Sequence, residues 1–115
     1  IYGYNLAQQA FIEKPLYFIL NKDLKKLVGK NQIQTSGLAV NPLSGELYVI
    51  SSSDRALIVF NTDGTRKDFS KLPKKLFPQP EGICFSPNGT LFISNEEKGK
   101  GGTIIMFHEE SFHKE

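Results

Sequence analysis

The sequence predicts an all-β chain built from β-propeller blades, each a sheet of four antiparallel strands, with one short helix. Two observations support this fold class. Short apolar runs alternate with turns rich in glycine, proline and asparagine, as in antiparallel sheets. One such unit, residues 36–51, recurs as residues 81–95. A strand-rich repeat of about 45 residues is typical of propeller blades and not of helical solenoids.

The two copies align along their whole length. Gly37 corresponds to Gly82, an offset of 82 − 37 = 45 positions. Leu47 corresponds to Leu91, an offset of 91 − 47 = 44 positions, because the first copy has one extra residue in its turn. The alignment therefore predicts equivalent first and second strands in both copies.

The first copy predicts four consecutive strands. In the second of them, Leu47 and Val49 occupy one face. Tyr48 and Ile50 occupy the other face, so the strand is apolar on both sides, as expected of a sheet packed between two neighbours. Asp63-Gly64 is a strong hairpin signal before the fourth strand. The four predicted strands cover residues 37–41, 46–51, 56–60 and 65–69.

The second copy repeats this order as far as a third strand at residues 103–107 and then stops, with Asn88-Gly89 as its first hairpin turn. Before the first copy, residues 1–5 and 16–20 are predicted to form the last two strands of an earlier blade. Residues 21–29 are predicted to form a short helix, capped by an asparagine and ended by a glycine.

The predicted organisation is one propeller segment over residues 1–115. Residues 1–34 are the trailing part of a blade plus the helix, residues 35–78 are one blade and residues 79–115 are another. A blade cannot bury both of its faces alone. We therefore expect either a larger propeller or self-association through the open blade faces. We also expect a missing upstream part, since the chain starts at Ile1, and any signal or membrane attachment would lie there.

Composition limits the classes of function. The formal net charge of +2 is too small to predict a nucleic-acid partner. No apolar stretch approaches the roughly 20 residues needed to cross a bilayer. The single cysteine, Cys84, excludes an internal disulfide and stands in an apolar run, which predicts a small buried side chain.

These residues resemble the SdiA-regulated (YjiK-like) family of bacterial proteins. The most specific segments are residues 76–83, LFPQPEGI, and residues 94–96, SNE, and the preceding residues 4–27 also fit the family. The resemblance implies a six-bladed β-propeller that is exported or attached to the bacterial cell envelope, in the periplasm, on the membrane or secreted. Members are usually more than twice as long as this chain, and the family has no settled biochemical role.

Candidate site residues lie at one end of the predicted strands. Glu81 opens the first strand of the second copy, and Asn95 and Glu96 follow its second strand. We predict that these three residues bind a ligand at the mouth of the channel. Oxygen ligands of this kind suit Ca²⁺, for which Glu81, Asn95 and Asp54 are the predicted set.

Structural roles compete with these assignments. The carboxylate of Glu81 could instead accept hydrogen bonds from backbone amides of an adjacent blade. Asn95 could end its strand in an Asx turn. No triad or other catalytic arrangement is recognisable by spacing, so the catalytic residues are unknown.

Three functional hypotheses fit these observations. The first is an envelope-associated scaffold that binds a small ligand or a protein partner. The alternative is a Ca²⁺-dependent hydrolase of lactonase or phytase type, for which the likeness is one of fold only. A third is a purely structural assembly module.

Overall fold

The computed structural model describes residues 1–19, 23–24, 26, 33–97, 99 and 101–108. Nine strands are present in this part of the chain. They are β1 (Tyr4–Asn5), β2 (Ala10–Phe11), β3 (Thr35–Val40), β4 (Leu47–Ser51), β5 (Ala56–Phe60), β6 (Arg66–Lys71), β7 (Pro80–Phe85), β8 (Leu91–Asn95) and β9 (Thr103–Met106).

The strands form three antiparallel sheets. Strands β3 to β6 form a four-stranded sheet in sequence order, which we call the first blade. Strands β7 to β9 form a three-stranded sheet, which we call the second blade, and β1 pairs with β2. The four strands predicted for the first copy are therefore observed. The third strand predicted for the second copy, residues 103–107, is observed as β9. Residues 109–115 lie outside the described part of the chain.

Both blades carry the same irregularity between their first two strands. Thr35 pairs with Ser51, but the next pair skips Ser36 and joins Gly37 to Ile50. In the second blade the register skips Glu81 in the same way, between the pairs made by Pro80 and Gly82. A residue left without a cross-strand partner forms a β-bulge, which bends the strand and re-aims its side chains. The bulge therefore gives Glu81 a backbone position different from that of its neighbours in β7.

The main core lies between the two blades. Tyr48 and Ile50 project from one face of β4 into this core, as the alternation predicted. Tyr48 meets Phe85 of β7 edge to face, with ring centroids 4.8 Å apart. The remaining buried residues of this cluster are Leu57, Val59, Leu72, Phe77, Leu91 and Ile93.

The other face of the first blade forms a second cluster. Leu47 and Val49 of β4 are buried there together with Ile58 and Phe60 of β5. Tyr17, Ile19 and Leu24 of the N-terminal segment pack against it, together with Phe69 of β6. Both faces of the first blade are therefore apolar, as the sequence predicted.

The outer face of the second blade is open. It carries Cys84 and Phe92, which pair across β7 and β8, and Ile104, which is 72% exposed. The prediction that Cys84 is buried is wrong, because the thiol is exposed. The apolar run around Cys84 was correctly assigned to a strand, but Cys84 lies on the face opposite the inter-blade core.

The N-terminal segment differs from its prediction. The predicted strand over residues 16–20 is absent from residues 16–19, and β1 pairs instead with β2. Pro15 lacks a backbone N–H and restricts the residue before it, which disfavours a regular ladder there. Residue 16 nevertheless lies beside the first residue of the chain, since the backbone N–H of Leu16 donates to the carbonyl of Ile1 at 2.8 Å.

The helix predicted for residues 21–29 falls mostly outside the described residues. The three described positions within it, Asp23, Leu24 and Lys26, have helical conformation.

Two isoleucines on opposite faces of the second blade provide a matched test of this architecture. Ile93 is fully buried between the blades, whereas Ile104 is 72% exposed. We expect Ile93→Ala to lower the free energy of unfolding by about 2–5 kcal/mol, because it leaves a cavity in the core. Ile104→Ala should change it by less than about 0.5 kcal/mol. Urea unfolding of both variants checks this, and equal losses would contradict an open outer face.

An ion pair between the start of β4 and the outer strand predicts a pH dependence. Lys67 contacts the carboxylate of Glu46 at 2.5 Å. The hydrogen bond from Lys67 lowers the pKa of Glu46. A carboxyl whose pKa is lower when folded stabilises the fold above its unfolded pKa of about 4.3. That contribution disappears as the pH falls through the lower, folded pKa. Lys67→Met should raise the pKa of Glu46 in an NMR titration, whereas Lys74→Met should leave it unchanged.

Candidate functional site

The candidate site lies at the end of the second blade where β7 begins and β8 ends. Glu81 is the bulged residue of β7, Asn95 is the last residue of β8, and Glu96 follows it. Together with Ser94 these residues line a shallow depression of about 440 Å³. The three ligand-binding residues predicted from the sequence are therefore brought together.

Gln79 connects the two carboxylates of the depression. Its Nε2 donates to Glu81 Oε1 at 3.1 Å and also to Glu96 Oε2. The backbone N–H of Glu96 in turn donates to the carbonyl of Gln79 at 3.0 Å, which extends the β7–β8 pairing by one residue. Gln79 was not predicted as a site residue from the sequence. Its spacing from Glu81 gave no usable signal, because Gln79 precedes β7 and the bulge at Glu81 interrupts the alternation of side chains along the strand.

Asn95 is a buried polar residue at the base of the site. Its side chain is 5% exposed. Its Nδ2 donates to the carbonyl of Leu76 at 3.0 Å and to Thr103 Oγ1 at 3.1 Å. These contacts differ from an Asx turn, because they join β8 to β9 and to the linker between the blades. Its Oδ1 is buried and has no hydrogen-bond partner among the described residues.

Asp54 is in the loop between β4 and β5 and is not among the residues that line the depression. Its Oδ2 accepts hydrogen bonds from Ser51 Oγ at 2.9 Å and from Ser53 Oγ at 3.1 Å. Lys71 donates to the backbone carbonyl of Asp54 at 3.1 Å. Asp54 does not line the depression, so the structure brings together only two members of the predicted calcium set, Glu81 and Asn95.

The two blades are joined directly beside the site. Ser36, the bulged residue of the first blade, donates its hydroxyl hydrogen to the carbonyl of Pro80 at 2.9 Å. Gly37 allows this close approach, since a Cβ atom there would lie 3.1 Å from the carbonyl oxygen of Glu81. The backbone that carries Glu81 is therefore held against the first blade.

The donor set of the depression is composed of oxygen atoms. Two carboxylates and one buried amide oxygen are hard ligands of the type that Ca²⁺ prefers. No group of three or more histidine, cysteine, aspartate or glutamate side chains converges within the described residues. Since Ca²⁺ takes about 6 to 8 oxygen ligands, a cation here would need further ligands from water or from other parts of the protein.

Comparison with known families identifies the relationship. The family model described as SdiA-regulated matches residues 14–98. The chain belongs to the SdiA-regulated family. The match confirms the resemblance seen in the sequence, and the candidate site falls inside the matched region.

Comparison with solved structures supports the fold of this SdiA-regulated chain. It superposes on a β-propeller-like luciferin-regenerating enzyme with a TM-score of 0.57 and 20% sequence identity. The match covers 86% of this chain and 31% of that enzyme, so the chain spans about a third of its length. The similarity confirms the predicted propeller fold. No curated protein sequence matches the chain.

Membrane-spanning helices are absent from the part of the chain that the structure describes. None of the helices there has both the length and the apolar character needed to span a bilayer.

The buried amide of Asn95 predicts a structural effect that is independent of any ligand. Asn95→Ala removes the donor shared by Leu76 and Thr103, and we expect it to lower the free energy of unfolding by about 1–3 kcal/mol. Asn95→Asp keeps the size of the side chain but also loses the donor, so it should be at least as destabilising. Urea unfolding in EDTA measures both variants. An Asn95→Asp protein as stable as the wild type would contradict this role.

Proposed function

We propose that this chain is part of an envelope-associated β-propeller that binds a small ligand or a protein partner at the rim depression, with Ca²⁺ held there. The observation that carries the proposal is that two carboxylates bridged by Gln79 line one depression with Asn95, whose buried amide oxygen lacks a partner among the described residues. The proposed envelope location rests on the family resemblance alone.

The charge of the depression supports a cationic occupant. Glu81 and Glu96 both approach one amide nitrogen, that of Gln79. Two carboxylates held this close repel each other, and a cation between them relieves the repulsion. The Oδ1 of Asn95 supplies a third oxygen whose desolvation a bound cation would offset.

The remaining ligands of the proposed calcium site would come from elsewhere. Asp54 belonged to the set predicted from sequence, but its carboxylate is bonded to two serine hydroxyls of its own loop. We therefore assign the cation contacts within this chain to Glu81, Glu96 and Asn95. Water or further blades would complete the coordination sphere.

Calcium titration of the full-length protein by calorimetry tests the proposal. We expect the wild type to bind Ca²⁺ and Glu81→Gln to weaken binding by at least about tenfold, because it removes one of two charged ligands. Glu97→Gln is the matched control, since Glu97 is exposed and does not line the depression. It should bind Ca²⁺ like the wild type.

Two results would contradict the proposal. One is the absence of calcium binding by the wild-type protein. The other is an equal effect of Glu81→Gln and Glu97→Gln, since that would indicate a general loss of surface charge and not the loss of a ligand.

The alternative function is a Ca²⁺-dependent hydrolase that uses the same depression. Its open shape would leave coordination positions for a substrate, and the bound ion would act as a Lewis acid. The activity in the name of the luciferin-regenerating enzyme is not assigned to this chain, because 20% identity supports a common fold only. Calcium-dependent hydrolysis of a lactone, an aryl ester or phytate that is lost in Glu81→Gln would favour this alternative.

A further inference from the structure

The amide nitrogen of Gln79 lies between the two carboxylates of the site. It donates to Glu81 Oε1 at 3.1 Å and to Glu96 Oε2. A glutamine amide nitrogen carries two N–H groups, so each carboxylate receives one of them. The nitrogen thus stands where a single ion that contacts both carboxylates would stand.

We propose that Gln79 is a built-in competitor for the cation of this site. In the cation-free protein its amide joins Glu81 to Glu96, and it moves aside when a cation binds. The inference rests on the proposed cation site and adds the residue that sets the affinity of that site.

An observation outside the acidic pair supports a cation here. Asn95 is 5% exposed and lines the same depression. Its Nδ2 is fixed by two hydrogen bonds, to Leu76 and Thr103, which determines the orientation of the amide. Its Oδ1 is buried and has no hydrogen-bond partner among the described residues, so its desolvation is not offset within the described chain.

Electrostatics explain why a cation would displace the side-chain amide of Gln79 from the two carboxylates. A neutral N–H offers each carboxylate only a partial positive charge, whereas Ca²⁺ attracts both carboxylates with its full charge. The hydrogen bonds of Gln79 nevertheless stabilise the cation-free state, and a cation must replace them. The apparent affinity is the intrinsic affinity multiplied by the fraction of protein in which Gln79 does not bridge the carboxylates, so removal of Gln79 should increase it.

Only the side chain of Gln79 has to move. Its backbone carbonyl accepts the hydrogen bond from the backbone N–H of Glu96 at 3.0 Å, which continues the ladder of β7 and β8. The exchange therefore leaves the strand pairing intact.

The first blade provides a matched control. Gln34 occupies the position equivalent to Gln79, since 79 − 34 = 45, and it is exposed. The residues equivalent to Glu81 and Glu96 are Ser36 and Ser52 (81 − 36 = 45 and 96 − 52 = 44). Gln34 therefore has serines where Gln79 has two glutamates.

The test compares Gln79→Ala, Gln34→Ala and Glu81→Gln in the full-length protein. Calorimetric titration with CaCl₂ measures affinity, and thermal unfolding in EDTA measures the cation-free state. We expect Gln79→Ala to bind Ca²⁺ about 3- to 10-fold more tightly than the wild type. We also expect it to lower the unfolding midpoint in EDTA by about 2–4 °C. Gln34→Ala should change neither quantity.

The outcomes separate this inference from the proposed function. Weaker calcium binding by Gln79→Ala would show that Gln79 is itself a ligand, and unchanged binding would show that it does not compete. Either result overturns the inference about Gln79. The calcium site itself is still supported if the wild type binds Ca²⁺ and Glu81→Gln loses that binding. If the wild type binds no Ca²⁺, both proposals fall.

Discussion

The structure depends on the packing of two sheets against each other at their first strands. Strands β3 and β7 approach so closely that a Cβ atom at Gly37 would lie 3.2 Å from Ile83 Cγ2. This approach places β4 of one blade opposite β7 of the next and excludes water from the side chains between them. A single blade could not do this, because each of its faces needs a neighbouring sheet. Apolar burial between neighbours is therefore the main source of stability in this chain.

The same packing fixes the position of the candidate site. The linker between the blades contributes Phe77 to the core, where its ring stacks on Phe107 at a centroid distance of 5.7 Å. The carbonyl of Leu76 then receives the hydrogen bond from Asn95. The chain that leads to Gln79 and Glu81 is consequently held by core contacts on one side and by β8 on the other. The backbone of the depression is therefore organised before any ligand arrives.

Alternation and repetition in the sequence were sufficient to predict the blades, and they selected the residues that line the depression. The prediction that both faces of β4 are buried was correct because every residue from Leu47 to Ile50 is apolar. Such a run is typical of a strand covered on both sides. Glu81, Asn95 and Glu96 lie together because hairpin pairing brings the start of one strand beside the end of the next. The misses have different causes. The exposure of Cys84 depends on which sheet covers the second blade, and no local pattern encodes that. The bridging role of Gln79 depends on a bulge whose effect on side-chain direction cannot be read from spacing.

Equivalent positions in the two blades show how one backbone can carry different chemistry. Both blades skip one residue at the start of the first strand, but the skipped residue is Ser36 in one and Glu81 in the other. Ser36 uses its hydroxyl to bind the neighbouring blade at Pro80, so its position has a structural role. Glu81 instead directs a carboxylate towards Gln79 at the surface. The bulge depends on backbone geometry, so the side chain of the skipped residue can differ between the blades. The fold does not require a carboxylate at position 81. A charged side chain that the fold does not require is the physical reason to look for function at Glu81.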